Sequence, residues 1–250
     1  MNFGSDNQYG VDPRILQAMV DANARLTDVS YCHDDNSKAV EARLSEIFEK
    51  DVKSFLVVNG TGANSLALSA ICPPFGGIFC HEASHIHADE CNCPELMTGG
   101  AKLIILPGEH GKLSPQTITA KLAHFGHGEH APKPAALSIT NATESGTVYS
   151  PAEVKALADV VKPMAMKLHM DGARFANALV SLGCTPAEMT WKVGVDVLSF
   201  GGTKNGGMLL EAVVFFDTAL AEDFLYRRKR AGQLVSKGAI PLCANAGLSA

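Results

Sequence analysis

Apolar residues along the chain gather in short unbroken runs: SFLVV (54–58), GGIFC (76–80), AKLIIL (101–106), AALSIT (135–140), MKLHM (166–170), VDVLSF (195–200) and EAVVFF (211–216). A half-exposed strand alternates apolar and polar positions, so unbroken runs predict strands buried on both faces. Segments with helix-start chemistry lie between them. In SPAEVKALADVVK, Ser150 is an N-cap, Pro151 fills the first turn and Glu153 completes a capping box. TPAEM repeats the device from Thr185 to Glu188, and SPQTITAKLAHF opens similarly at Ser114. Strand and helix in this rhythm predict an α/β layer architecture with a mostly parallel sheet of about seven strands, whose ligands bind beyond the carboxyl ends of the strands. The polar stretch HFGHGEHAPKPAA (124–136) reads as a surface loop, with His124, His127 and His130 solvated.

Composition narrows the partners. Of 250 residues, 46% are hydrophobic and 19% charged, the make-up of an ordinary soluble globular protein. A formal net charge of -5 argues against general nucleic-acid or anionic-membrane binding, leaving a small molecule as the expected partner. No apolar run is long enough to span a bilayer and the polar start lacks the form of a secretory signal, so a cytoplasmic location is expected. Seven cysteines without a pairing pattern fit reduced thiols.

Candidate chemistry lies just after three predicted strands. In NGTGANS, Gly60 and Gly62 flank Thr61 at a strand-to-helix turn, a ready cradle for a phosphate, although such glycines also serve as plain turn residues. In LHMDGARFANA, Asp171 ends a strand and Arg174 follows closely; function and a simple helix cap with a surface ion pair both remain open. In VDVLSFGGTKNGG, Lys204 follows a strand through two glycines and a threonine, where a solvated lysine is the ordinary alternative. Together they form the set that pyridoxal phosphate needs: a lysine for covalent attachment, an aspartate to keep the pyridine nitrogen protonated, and a turn for the phosphate. The segment HEASHIHADECNC (81–93) raises zinc as a rival, but its spacing matches none of the common ligand frameworks.

The order and wording of SDN near the start, NGTGAN, EASHI, HMDGARFANA and SFGGTKNG resemble the low-specificity threonine aldolases, which have the aspartate-aminotransferase-like fold type I. The likeness runs from about Asn2 to Ser236. It implies aldol cleavage of L-threonine and related β-hydroxy-α-amino acids to glycine and an aldehyde, with pyridoxal 5'-phosphate as cofactor. By the same resemblance Lys204 carries the cofactor, Asp171 pairs with its pyridine nitrogen, and Gly60 and Thr61 hold its phosphate. His85 stacks on the ring, Arg174 lies near the cofactor and the substrate carboxylate, and Ser5 contacts that carboxylate. His81, His87, Cys91 and Cys93 are then residues in or beside a helix crossing the site, with no metal bound. Where bacterial relatives carry a histidine in an NTHNG-like segment, this chain reads NATESGT, so Glu144, His85 and a water are the candidates for proton transfer. The family also implies a homo-oligomer, dimer or tetramer, in which Tyr31 and the HDDNS stretch (33–37) serve a neighbouring subunit's site.

The expected organisation is an N-terminal arm over 1–20, a cofactor-binding large domain over 21–237, and an atypical tail over 238–250. By the resemblance, family members continue into a small C-terminal domain, which this sequence is expected to lack. Read in a shifted frame, codons for AIPLCANAGLS can give RFLSAQMRAYL, so a single-base insertion or deletion near Gly238 is the expected cause, and cofactor binding with weak or no aldolase activity the expected consequence. Two alternatives stand beside the aldolase: another lyase or aminotransferase of the same fold type, and a cofactor- or metal-binding remnant.

Overall fold

The chain is described by a computed structural model covering residues 4–24, 29–125 and 127–236. The tail expected over 238–250 lies outside the described residues. Seven strands form one sheet: β1 (Lys53–Val57), β2 (Gly76–His81), β3 (Lys102–Leu106), β4 (Lys133–Thr140), β5 (Lys167–Gly172), β6 (Val197–Gly201) and β7 (Glu211–Phe215). Each falls on one of the seven apolar runs. The helices are α1 (Pro13–Asn23), α2 (Asp35–Ile47), α3 (Gly60–Ile71), α4 (His85–Ala88), α5 (Cys93–Thr98), α6 (Pro115–Leu122), α7 (Pro151–Val161), α8 (Phe175–Leu182), α9 (Pro186–Met189) and α10 (Phe224–Arg230). None is long and apolar enough to cross a membrane among the described residues.

The helix-start chemistry is realised as read. Ser150 and Thr185 each accept from the backbone of Glu153 and Glu188, whose carboxylates bond back to the cap residues, and Ser114 accepts from Thr117 N at 3.1 Å. The 124–136 stretch is loop only as far as Pro132, because β4 begins at Lys133; His124, His127 and His130 are exposed.

The sheet order is β1-β7-β6-β5-β4-β2-β3, parallel except at β7, which runs antiparallel to both its neighbours. Both faces are covered, and strand alternation assigns residues to two cores. Phe79, Leu137, Leu168, Met170, Leu198 and Val214 point to one side, against Leu44, Phe48, Ile118 and Leu157. Ile78, Cys80, Ala136, Val197, Val213 and Phe215 point to the other, where α3 lies centrally with Ala63, Leu66 and Ala67. Strand ends β2, β4, β5 and β6, the start of β7 and the N-terminus of α3 all meet at one edge of the sheet.

The α3 face holds one polar line. His169 is buried between Ser138 and Ser199 on the flanking strands, its Nδ1 2.9 Å from Ser138 Oγ and its Nε2 2.9 Å from Ser199 Oγ. Burial pushes its pKa down to about 4, so the ring is neutral at pH 7. It stands one pleat beneath Asp171 on the same face.

Candidate active site

Lys204 sits on a single turn (Thr203–Asn205) directly after β6. The turn is held from β7: the buried carboxylate of Glu211 accepts from Gly202 N at 3.1 Å, and Thr203 Oγ1 accepts from Leu210 N at 3.1 Å. Burial raises the Glu211 pKa against the hydrogen bonds it accepts from this turn. The Lys204 ammonium makes no hydrogen bond or ion pair among the described residues, so a buried scaffold presents a lysine that has no structural partner.

The same turn explains a glycine. A Cβ on Gly201 would lie 2.6 Å from the Ala173 Cα and carbonyl carbon, both backbone atoms that cannot step aside. Gly201→Ala should therefore destabilise the protein by about 2–3 kcal/mol through overpacking, read as a lower urea midpoint at unchanged slope. A shift under about 0.5 kcal/mol would mean that β5 and β6 are not this close.

Asp171, at the end of β5, is only 4% exposed. Its Oδ1 accepts from Ala173 N at 3.0 Å and its Oδ2 from Asn64 Nδ2 at 2.8 Å. Sequence reading set Arg174 beside it, but the guanidinium turns to Asp6: Nε donates to Oδ2 at 2.6 Å and Nη2 to Oδ1 at 3.1 Å. Burial alone would raise the Asp6 pKa, yet the bond and charge of Arg174, with Lys204 beyond it, bring it below the usual carboxylate range. Ser5 Oγ accepts from Asn7 N at 3.2 Å, and Asp12 N donates to Gly206 O at 3.0 Å, so the N-terminal segment lies against the lysine turn.

At the start of α3, Asn59 caps the helix by accepting from Gly62 N at 2.7 Å. The N–H groups of Gly60 and Thr61 have no partner among the described residues, and open space faces the Gly60 Cα where a Cβ would stand. Such a terminus attracts an anion through its free donors and the helix dipole.

His85 opens α4. Its Nδ1 lies 2.9 Å from Glu90 Oε1, while its backbone N–H donates to Glu144 Oε1 at 2.8 Å. The bond to Glu90 raises the His85 pKa, and burial opposes it; Asp171 adds to the rise and Lys204 to the opposition. Glu144 Oε1 also accepts from Thr140 Oγ1 at 3.2 Å. The remaining groups of the 81–93 stretch disperse. His81 ends β2 with Nε2 donating to Gly108 O and Nδ1 accepting from Ala83 N, each at 3.0 Å; His87 and Cys91 are exposed, and Cys93 lines a cavity of about 180 Å³ beside Thr61 and Gln233. Among the described residues no three His, Cys, Asp or Glu side chains are grouped as a metal ion requires.

Tyr31 makes its contacts elsewhere, with Lys229 Nζ 5.0 Å over its ring and its own N–H donating to Ser236 O at 2.9 Å. The structure thus brings together Lys204, Asp171, His85, Glu144, Gly60, Thr61, Arg174 and Ser5 at one sheet edge, and leaves Tyr31 outside. Asp6, Asn64, Glu90, His169 and Glu211 belong to the same neighbourhood and were missed by sequence reasoning.

The chain is similar to known proteins. The low specificity L-threonine aldolase of Pseudomonas aeruginosa is 47% identical over 235 residues, spanning 94% of this chain and 67% of that protein, and its counterpart from another Pseudomonas strain matches equally. The structure of Leishmania major threonine aldolase superposes with a TM-score of 0.91 at 28% identity, over 98% of this chain and 71% of that one. An aspartate aminotransferase from Thermotoga maritima, at 10% identity and a TM-score of 0.72 over 97% of this chain and 64% of its own, shares the fold alone. The beta-eliminating lyase family profile matches residues 2–250 from end to end, and the chain belongs to that family.

Proposed function

We propose that this chain is a pyridoxal-phosphate-dependent carbon–carbon lyase that cleaves L-threonine and related β-hydroxy-α-amino acids to glycine and an aldehyde. One observation carries the reading: an unpartnered lysine, a buried carboxylate and an open helix N-terminus converge at one sheet edge, in a chain 47% identical to low specificity L-threonine aldolases. The residues present fit the cofactor. Asp171 is a buried acceptor with no ion-pair partner among the described residues, which suits a protonated ring nitrogen, and the Gly60 and Thr61 N–H groups suit a phosphate. Lys204 would hold the cofactor covalently, and His85 would lie against its ring.

When bound, pyridoxal phosphate supplies the electron sink for the charge left at Cα as the Cα–Cβ bond breaks. The chain's own groups bind the substrate and move its proton. Arg174 retains Nη1 for the substrate carboxylate while Asp6 fixes the plane of the guanidinium, and Ser5 stands nearby on the same segment. The β-hydroxyl proton must leave before the bond can break. We place His85 first as the base: its Nδ1 is held by Glu90 and its Nε2 has no partner among the described residues, while Glu144 is tied through Oε1 to the His85 N–H and the Thr140 hydroxyl and keeps only Oε2 for a proton.

Products test the reading. Incubated with pyridoxal phosphate and L-threonine, the protein should release glycine and acetaldehyde in equal amounts; a keto acid and ammonia would instead identify a β-eliminating reaction.

A further inference from the structure

We propose that Glu90 and Asn64 are positioning residues that tie the His85 ring to the Asp171 carboxylate through one buried hydrogen-bonded chain, fixing which nitrogen His85 presents to the substrate. The inference rests on the reading of His85 and Asp171 given above.

The chain has three links. Glu90 Oε1 accepts from His85 Nδ1 at 2.9 Å and from Asn64 Nδ2 at 2.8 Å, and the same Nδ2 donates to Asp171 Oδ2 at 2.8 Å. Glu90 is 3% exposed and Asn64 2%, so the two bonds of the Asn64 amide are shielded from water, while the His85 ring at the end of the chain is half-buried. An amide nitrogen carries two hydrogens, and here each goes to a different carboxylate. Asn64 Oδ1 is buried without a partner among the described residues. Turning the amide over would set that oxygen against both carboxylates and leave Nδ2 orphaned, so the orphan marks the orientation that favours the two donated bonds.

Two consequences follow. A carboxylate facing Nδ1 requires the proton on that nitrogen, which leaves Nε2 as the unprotonated, proton-accepting position of a neutral ring. Asn64, standing between Glu90 and Asp171, supplies each with a donor where their like charges would otherwise push one of them to take up a proton. The groups facing His85 are Glu90, Asp171, Lys204 and, at its backbone, Glu144. Glu90 is the one that bonds the ring.

The test is nitrogen-resolved NMR of labelled histidine in the cofactor-free protein, followed by kinetics of the loaded protein. Wild-type His85 should show the Nδ1–H tautomer. In Glu90→Gln its pKa should fall by about one unit, the Nε2–H form should appear, and kcat should drop about 10–100-fold with KM changed far less. Asn64→Ser, which removes the bridge but not the Glu90–His85 bond, should shift the His85 titration by a smaller amount and alter the pH profile of kcat. A folded Glu90→Gln protein with His85 tautomer and titration unchanged overturns the proposal. Should that variant not fold, unchanged His85 titration in Asn64→Ser does so. Failure of the wild type to take up pyridoxal phosphate would count against the proposed function, while the His85 tautomer in cofactor-free protein still decides the present point.

Discussion

Lys204→Ala is expected to abolish the visible absorbance that pyridoxal phosphate gives when covalently attached, and to lower threonine cleavage by at least about a thousandfold. The size of the effect follows from the role proposed for the residue: the other groups at the site would hold the cofactor by reversible contacts, and Lys204 would be the group that binds it covalently. Stability should barely change. Lys204 is half-exposed and unpaired among the described residues, and the turn that carries it is held by Glu211, Thr203 and Gly206 rather than by the lysine itself. A surface side chain of this kind contributes within about 0.5 kcal/mol. Absorbance titration with added pyridoxal phosphate, alongside a urea curve, separates the two effects. If Lys204→Ala keeps both the band and the activity, another lysine carries the cofactor and the site lies elsewhere.

The seven strands were legible because each is buried on both faces and therefore written as an apolar run. Their order was not. An apolar run carries no direction, so nothing in EAVVFF marks β7 as the one antiparallel strand, though that reversal brings Glu211 to the lysine turn. The capping boxes were legible because both partners lie within four residues. Asp171 stood out by closing a strand, and Lys204 and Gly60 by coming soon after one. The missed residues act across the sequence: Asn64 meets Glu90 and Asp171 from 26 and 107 positions away, and Asp6 meets Arg174 from 168. A signal was present for two of them. His169 interrupts an otherwise apolar strand two residues before Asp171, which places it on the same face. Glu90, inside the histidine and cysteine cluster that drew the metal reading, was passed over because it was not a soft ligand.

That histidine leads to the second large effect, a loss of stability in mild acid. In the unfolded chain a histidine takes up its proton near the ordinary value of 6.5, while in the fold burial holds His169 to about 4. Over this interval the unfolded state binds a proton that the folded state refuses, so stability is undiminished above 6.5 and falls as the pH is lowered towards 4. The difference corresponds to roughly 3 kcal/mol, a large fraction of what a domain of this size has to lose. Other groups do not mimic the effect. His85, whose pKa is raised, has its proton-linked stability complete below 6.5 and loses it only as the pH rises above that value, and raised carboxyls such as Glu90 and Glu211 stabilise the fold on protonation. Asp6 and Glu153, held below their ordinary values, oppose them mainly at lower pH. The comparison that isolates His169 is therefore with His169→Gln, which can still bond Ser138 or Ser199 but does not titrate. Urea unfolding at pH 7, 6, 5 and 4 should show wild-type stability falling relative to the variant by about 1.4 kcal/mol per pH unit through the middle of the window. Parallel curves would mean that His169 is protonated in the fold, with both its serine partners accepting.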